Sequence, residues 1–203
     1  MAAERTERNK EKDTLSFEHN VMLYLHDFVH LLAVIMVIFL FLFRIVIVSG
    51  SSMYSTLWNG DLLLVTGSFL HQDPEPGDIV VASKASFNSG EPIIKRVIAT
   101  EGQTVDIDFE AGIVYVDGVA LHETYTYTPT NVQEGIEFPI TIAEGCIFAM
   151  GDNRNGSRDS RDPLIGMIDT REVLGKALFL IFPGTGEKAN AASRDFQRIG
   201  ALN

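Results

Sequence analysis

The longest apolar run in the chain lies near its N-terminus. Between Phe28 and Val48 the one charged side chain is Arg44. A helix of this length reaches roughly 30 Å, the thickness of a hydrocarbon core, and Arg44 lies near enough to its end for the guanidinium to extend to the interface. The pattern therefore predicts one membrane-spanning helix over 28–48, preceded by a short segment, 1–27.

Basic residues are distributed unevenly about this run. Those that precede it closely are Arg5, Arg8, Lys10 and Lys12. The segment 49–82 contains neither Lys nor Arg, so the positive-inside rule predicts a cytoplasmic segment 1–27 and an extracytoplasmic chain after Val48. A cleaved secretory signal peptide is the competing interpretation. Against it, the run is longer than the apolar core of a typical signal peptide and lacks a small-x-small exit.

Beyond Gly50 the helical periodicity gives way to short apolar runs separated by Gly, Pro, Asn and Asp, which is typical of strands. The predicted strands are Leu62–Val65, Ile79–Ala82, Ile93–Ala99, Val105–Ile107, Ile113–Val116, Val119–Leu121, Cys146–Met150 and Leu174–Phe182. Between two of them, Asp117-Gly118 predicts a two-residue type I′ hairpin turn, because both central positions of that turn need a positive φ.

This spacing favours an antiparallel sandwich or barrel over βαβ units. We predict a mainly β extracytoplasmic domain over 49–183, following one N-terminal transmembrane helix. The looser stretch 109–143 is expected to be a small insert in that domain. After Pro183 the chain becomes polar and rich in small residues, so the tail 184–203 is expected to be weakly ordered.

Composition narrows the function classes. The chain has 203 residues, room for one domain plus an appendage, and a net charge of −11, which makes nucleic acid a poor partner. The single cysteine allows no intrachain disulfide and no Cys-based metal site. The five histidines are scattered, so neither a metal nor another cofactor is expected. His122 could serve a Ser-His-Asp triad, but no neighbouring motif supports one.

The first candidate for chemistry is the segment 49–57, rich in Ser and Gly, directly after the predicted span. Small residues around Ser51 and Ser52 would let a substrate backbone approach closely. Met53 and Leu57 could line an apolar pocket. On its own, this pattern is more typical of a juxtamembrane linker.

The second candidate is Lys95, which stands beside Arg96 in an otherwise apolar, β-branched stretch. Alternation along a strand sends the two side chains to opposite faces, so one of them is expected to point inward. At pH 7 a free lysine with a pKa of about 10.4 is neutral about once in 2,500. Burial against an apolar wall can lower that pKa by about three units, whereas a guanidinium cannot be neutralised in this way. Lys95 is therefore the candidate general base.

The third candidate is the polar loop 151–161, directly after an apolar predicted strand. Asp159 and Arg161 can form an ion pair, and the hydroxyl of Ser157 or Ser160 can orient a nearby amine. Three arginines in the loop argue against a calcium site. As an isolated motif, such a loop is more often solvated than functional.

Together, and in this order, the three segments resemble bacterial type I signal peptidases, the membrane-bound Ser-Lys proteases that remove signal peptides from exported proteins. The resemblance extends from the predicted span to Pro183. The short insert looks like that of Gram-positive members, and a lysine rather than a histidine base separates the chain from the endoplasmic-reticulum branch of the family. The motifs that carry it are Ser52-Met53-Tyr54-x-Thr56-Leu57, Gly60-Asp61, Gly77-Asp78, Lys95-Arg96-Val97, Gly151-Asp152-Asn153-Arg154-x-x-Ser157-x-Asp159-Ser160-Arg161, Gly166, Gly175-Lys176-Ala177 and Phe182-Pro183.

The resemblance implies roles for individual residues. Ser52 matches the nucleophile and Lys95 the general base of the family. Ser157 matches the serine whose hydroxyl orients the lysine. Asp159 and Arg161 match the supporting ion pair.

The resemblance also implies how substrate binds. A signal peptide is expected to lie as an extended strand, with Met53, Leu57 and Ile94 lining shallow apolar pockets for the small side chains of an A-x-A site. The backbone N–H of Ser52 is expected to hold the oxyanion, since Gly50 stands where some members have a serine hydroxyl. Ser55 replaces the proline usual in the family, which removes no catalytic group.

Three alternatives stay open. Ser51 is a second possible nucleophile, although Ser52 fits the motif. A self-cleaving Ser-Lys protease related to the SOS-response repressors is disfavoured by the span and by the lack of a DNA-binding segment. A membrane-tethered β-domain that only binds partners is the non-enzymatic alternative. In the favoured interpretation the partners are signal peptides of secreted preproteins and the lipid bilayer, and the protein is a single-pass protein of the cell membrane.

Overall fold

A long helix begins the structure. Helix α1 runs from Ala2 to Leu42. Its portion Asn20–Leu42 is long and apolar enough to cross a membrane, with a mean hydropathy of 2.4. The chain divides after Phe41 into two compact units, the helix and the domain that follows. The residues that this computed structural model describes are 2–67, 73–186 and 194–202.

The apolar run that the sequence assigns to one span is divided in the structure. Helix α1 ends at Leu42, and Phe43–Ile47 form a strand that pairs antiparallel with residues 62–66. The β-branched residues of this stretch favour a strand because they pack well on a pleated surface. The paired strand also supplies hydrogen bonds for their backbone groups. The predicted span 28–48 is therefore wrong at its C-terminal end.

Twelve strands form two antiparallel sheets in the described part of the chain. The larger sheet has the order β1-β2-β11-β3-β4-β9-β10, with β12 also paired to β11, and the smaller has the order β7-β6-β5-β8. The strands are β1 (Phe43–Ile47), β2 (Leu62–Thr66), β3 (Ile79–Ser83), β4 (Pro92–Thr100), β5 (Thr104–Asp108), β6 (Ile113–Val116), β7 (Val119–Ala120), β8 (Ile140–Thr141), β9 (Cys146–Met150), β10 (Ile168–Asp169), β11 (Val173–Phe182) and β12 (Gly200–Ala201).

The mainly β, antiparallel class is confirmed, and all eight predicted strands are present with each end within one residue of its expected position. The larger sheet is open rather than closed into a barrel, because β1 and β10 stand at the two ends of its order. The hairpin turn is confirmed as well, with φ of 53° at Asp117 and 78° at Gly118. The insert predicted over 109–143 overlaps the smaller sheet, whose strands already begin at Thr104.

Apolar clusters hold the domain together. One lies between the smaller sheet and the strands β4 and β9, with Val105 and Val114 packed with Ile98 and Phe148. A second contains Met53 with strand residues of β2, β3 and β11. This second cluster fixes the segment before β2 to the larger sheet, which positions the candidate nucleophile.

The C-terminal residues are more ordered than their composition predicts. Phe196–Arg198 form a turn of 3₁₀ helix, and β12 pairs with Phe179 and Leu180 of β11. Leu202 packs against the apolar cluster that contains Met53. The expectation of a weakly ordered tail is therefore wrong for 194–202, and residues 187–193 of that tail lie outside the described residues.

Candidate active site

The segment 51–58 forms tight turns between β1 and β2. The Tyr54 N–H donates to the Ser51 carbonyl at 3.0 Å, and the Leu57 N–H donates to the Met53 carbonyl at 2.8 Å. Met53 and Leu57 are 1% and 0% exposed, so the turn is anchored from below by two apolar side chains. Ser52 is half-buried between them and the solvent, and the Tyr54–Ser55 peptide bond is cis.

Strand β4 brings Lys95 to Ser52. The side chain of Lys95 is 4% exposed, and its Nζ donates to Ser52 Oγ at 2.9 Å and to the Ile94 carbonyl at 3.0 Å. Both partners are neutral groups. The structure therefore brings together the two residues that the resemblance makes nucleophile and base, and the lysine bonds to Ser52 rather than to Ser51.

Burial changes the protonation of Lys95. Loss of solvation lowers the pKa of its ammonium from 10.5 to about 8, with nearby Asp159 and Glu134 opposing the change and Arg161 assisting it. With a pKa of about 8, roughly one molecule in ten carries a neutral amine at pH 7. An unperturbed lysine would carry it about once in 2,500. The site therefore makes a usable proton acceptor of this side chain.

Ser157 lies in the same buried region. Its side chain is 5% exposed, and its hydroxyl oxygen bonds to no described residue, Lys95 included. A Cβ on Gly151 would lie 2.2 Å from Ser157 Oγ and 2.4 Å from the Ser52 carbonyl oxygen. Only glycine fits at position 151, which allows the loop after β9 to approach the candidate nucleophile.

The predicted ion pair is present and buried. Arg161 donates to both carboxylate oxygens of Asp159 at 2.8 Å, and neither side chain is exposed. Asp159 also accepts from the Gly151 N–H at 2.9 Å. This bond ties the ion pair to Gly151, where the loop after β9 packs against the Ser52 carbonyl. Glu134 is a third member that the sequence did not indicate, 3.2 Å from Arg161. Burial and the neighbouring Asp159 raise the pKa of Glu134 to about 7.

A second buried ion pair lies beside Lys95. The sequence predicts one inward side chain at 95–96, but Arg96 is buried as well, 1% exposed. It donates to both carboxylate oxygens of Asp152 at 2.9 Å, and the Thr56 hydroxyl donates to the same carboxylate at 2.5 Å. The neighbour of Lys95 is thus tied through Asp152 to the segment of Ser52. In the sequence, the two adjacent cations in an apolar strand could have indicated this ion pair, because a buried arginine requires a carboxylate partner.

An open groove of about 540 Å³ adjoins Ser51. Asn153 lies at this groove, with its N–H on the Ser52 carbonyl at 3.0 Å and its side-chain amide on the Ser51 carbonyl at 3.1 Å. The residues that line the groove are Gly50, Ser51, Tyr54, Leu57, Trp58, Asn59, Tyr127, Asn153, Thr185 and Gly186. All three predicted substrate-binding residues, Met53, Leu57 and Ile94, belong to or pack against the apolar cluster below the turn, and of the three Leu57 also borders the groove.

The chain is similar to known peptidases. The family described as signal peptidase, peptidase S26, matches residues 21–182. A probable signal peptidase I-1 of Synechocystis sp. is 37% identical over 145 residues, covering 68% of this chain and 70% of that protein. Signal peptidase I of Bacillus amyloliquefaciens is 35% identical over 153 residues, covering 70% and 76%. A crystal structure of a signal peptidase I from Enterococcus faecalis has 28% identity and a TM-score of 0.42, covering 52% of this chain and 97% of that one.

Sequence similarity defines the class, which is that of a peptidase. The chain belongs to the signal peptidase family, peptidase S26. This membership supports the function of a signal peptidase I, as the resemblance predicted. The chain also has an N-terminal apolar helix that is long enough to anchor such an enzyme in a membrane.

Proposed function

We propose that the protein is a membrane-anchored serine endopeptidase that cleaves signal peptides from exported preproteins after a small-x-small motif. Its catalytic residues are Ser52 and Lys95, and the reaction passes through an acyl-enzyme. The observation that carries the proposal is the 2.9 Å contact between Lys95 Nζ and Ser52 Oγ, made by a lysine with a lowered pKa.

Proton transfers follow from this contact. The neutral amine of Lys95 accepts the proton of the Ser52 hydroxyl as Oγ attacks the scissile carbonyl carbon. The ammonium then returns the proton to the leaving nitrogen as the C–N bond breaks, which leaves an ester on Ser52. Lys95 next accepts a proton from water, whose oxygen attacks the ester. Collapse of this second adduct returns the proton to Oγ and releases the product as a carboxylic acid, which loses its remaining proton to solvent.

The developing oxyanion needs a hydrogen-bond donor. The backbone N–H of Ser52 donates to no acceptor among the described residues, so it is free to bind the oxyanion. Gly50 supplies no side-chain donor at the position where some members of the resembled family have a serine. The oxyanion site of this chain therefore relies on backbone donors.

Ser157 and the pair of Asp159 and Arg161 support Lys95. A buried hydroxyl without a partner carries a free-energy cost, which a hydrogen bond to the free amine of Lys95 would remove. That bond would favour the neutral form of the lysine and fix its direction. The ion pair holds Gly151, against which both Ser157 and the Ser52 carbonyl pack.

The edge of β4 offers a place for the substrate backbone. On one side, β4 pairs with β3 through Ile94 and Lys95, but on the other side β9 pairs only from Arg96 onwards. In the described part of the chain, residues 92–95 thus have one unpaired edge. An extended signal peptide can add a strand there, beside the half-buried Ile94. Met53 and Leu57 are buried and support this region from below.

Helix α1 is proposed as an uncleaved anchor, with the N-terminus in the cytoplasm and the β-domain extracytoplasmic. The charge asymmetry of the flanking segments supports this orientation. The test is labelling of whole cells with a membrane-impermeant maleimide, on a Cys146→Ser background. Cysteine introduced at exposed Ala120 should react before lysis, and cysteine at Ala3 should react only after it. The reverse pattern would overturn the orientation.

Cleavage of a purified preprotein with an A-x-A junction, by the full-length protein in detergent, tests the proposal. Wild type should cut at the junction, Ser52→Ala and Lys95→Ala should not, and Ser51→Ala is the matched control that should retain activity. Circular dichroism confirms that each variant is folded, and mass spectrometry locates the cut. Activity that survives in Ser52→Ala would refute the nucleophile. Binding of the preprotein by folded wild type without any cut would favour a binding module, and cleavage of the enzyme alone a self-processing protease.

A further inference from the structure

The last described segment of the chain, 194–202, contacts the residues that follow Ser52. We name this segment the C-terminal clasp. Its strand β12 pairs with β11, and its Leu202 packs on the apolar cluster that contains Met53 and Leu57. The family match ends at residue 182, so the clasp lies beyond it.

Arg198 makes the polar contacts of the clasp with the segment of Ser52. Its two terminal nitrogens donate to the two carboxylate oxygens of Asp61 at 3.0 and 2.6 Å. One of them also donates to the Thr56 carbonyl at 3.0 Å. The guanidinium carbon lies 4.1 Å from the centre of the Trp58 ring, a cation–π contact. One side chain therefore contacts Thr56 and Trp58 of this segment and Asp61 shortly after it.

Asp61 depends on this arginine for its charge balance. Its carboxylate is fully buried and also accepts from the N–H groups of Trp58, at 2.7 Å, and Gly184, at 2.6 Å. Among the described residues, Arg198 is the one cation that pairs with it. Because a buried carboxylate requires a counter-charge, Arg198 stabilises Asp61 in its position at the end of the turn.

Thr56 is held on two sides. Its hydroxyl donates to Asp152, whereas its carbonyl accepts from Arg198. Four positions earlier, the Ser52 carbonyl accepts from the Asn153 N–H at 3.0 Å. The loop after β9 and the clasp therefore fix the turn from separate parts of the chain.

We propose that Arg198 is a positioning residue for the nucleophile. By tying Thr56 and Asp61 to the clasp, it keeps Ser52 Oγ at hydrogen-bonding distance from Lys95 Nζ. This inference rests on the proposed function, since the position of Ser52 sets the rate only if Ser52 is the nucleophile. A misplacement of about 1 Å at a reacting atom costs on the order of 10²-fold in rate.

Kinetics of Arg198→Lys and Arg198→Gln in the full-length protein test the proposal, with an A-x-A peptide as substrate. A lysine can neutralise Asp61 but cannot also reach Thr56 and stack on Trp58 as a planar guanidinium does. We expect kcat to fall about 3-fold to 10-fold in the lysine variant and more in the glutamine variant, with KM within about 2-fold. Arg194→Ala is the matched control, because Arg194 lies on the same clasp but contacts Pro183 and Phe182 instead, and it should leave kcat within about 2-fold.

Tryptophan fluorescence gives a readout that does not depend on catalysis. Trp58 is the only tryptophan in the chain, so acrylamide quenching reports directly on the surface that Arg198 covers. Quenching should rise in both Arg198 variants and stay unchanged in Arg194→Ala. A folded Arg198→Lys protein with kcat and quenching of wild type would overturn the proposal, even if Arg198→Gln does not fold. Cleavage retained by Ser52→Ala would instead refute the proposed function, and with it the positioning role, whatever the quenching shows.

Discussion

Lys95, Arg96 and Arg161 are all buried, but their hydrogen-bond partners differ. Arg96 and Arg161 each face a carboxylate in a two-bond arrangement, with Asp152 and Asp159 respectively. Lys95 forms no ion pair with any described residue, and its two hydrogen bonds go to a hydroxyl and a carbonyl. The two arginines therefore each have a carboxylate counter-charge, while the partners of the lysine are neutral.

This difference in partners distinguishes cations with a structural role from the one cation proposed to take part in catalysis. A buried cation with a bidentate carboxylate keeps its proton and fixes geometry. A buried cation with neutral partners has a lowered pKa and can exchange a proton near neutral pH. In this domain the ion pairs of Arg96 and Arg161 fix the structure around Lys95. They hold Lys95 against Ser52 without giving it a carboxylate partner of its own.

Replacing Lys95 should have the largest effect, and in opposite directions for activity and stability. Lys95→Met should reduce kcat/KM at least about 10³-fold because no base remains. It should also raise the free energy of unfolding by about 2 kcal/mol at pH 7, since methionine removes a buried charge. Peptide cleavage and urea unfolding measure the two effects.

The pH dependence of that stability gain follows from the lowered pKa. Between pH 8 and 10.5 the unfolded chain binds more protons at Lys95 than the folded domain does, so wild-type stability rises with pH across this window. The advantage of Lys95→Met should therefore vanish above about pH 10.5. Lys84→Met is the matched control, because Lys84 is paired with Glu172 at 3.0 Å and should show no such gain. Equal behaviour of the two variants would contradict the contrast.

Breaking a paired charge should mainly destabilise. Arg161→Met leaves the carboxylate of Asp159 buried without its counter-charge, and we expect a loss of about 3–5 kcal/mol in the free energy of unfolding. Arg171→Met removes a largely exposed partner of Asp169 and should leave the free energy of unfolding nearly unchanged, because solvent screens this pair. Thermal unfolding of both variants in detergent measures the difference, and a similar small loss in both would show that the buried pair is not part of the scaffold.

Gly151 is where the scaffold meets the candidate nucleophile. Gly151→Ala places a methyl group against Ser157 Oγ and the Ser52 carbonyl, so we expect a loss of about 1–3 kcal/mol in stability and a lower kcat. Gly200→Ala is the control, because its methyl group would meet no atom within 4 Å. Wild-type kcat in Gly151→Ala would mean that this close packing does not position Ser52.

The smallest effect should come from Glu134. Its carboxylate raises the pKa of Lys95, and its own pKa is raised to about 7 by burial and by Asp159. Glu134→Gln keeps an acceptor for the Asp159 N–H but removes the charge, so the apparent pKa of kcat/KM should fall by about half a unit. A rise in that apparent pKa would contradict the assigned sign.

Local patterns in the sequence predict much of this domain. Short apolar runs between turn residues are sufficient to predict eight of the twelve described strands, because Gly, Pro, Asn or Asp separates these runs from one another. The apolar neighbours of Lys95 and Arg96 predict that one of the two points inward, and the structure buries both. The end of α1 at Leu42 could not be predicted from apolarity alone, because the same residues satisfy either a membrane or a sheet, and the choice depends on pairing with β2.

Contacts between distant residues account for most of what the sequence did not reveal. Thr56 and Asp152 are 96 positions apart, and Arg198 and Asp61 are 137 apart. No local periodicity reports such pairs, which depend on the order of strands in the sheet. Glu134 lies in a loop whose composition gives no indication of burial.

The central claim is that Lys95 acts as a neutral base with a pKa of about 8. The most direct test is the pH profile of kcat/KM for the full-length protein, with an A-x-A peptide that has no titratable group between pH 6 and 10. The claim predicts a rise of about tenfold per pH unit below pH 8 and a plateau above it, as the ammonium loses its proton. A profile that is flat from pH 6 to 9, or that rises only near pH 10.5, would contradict it.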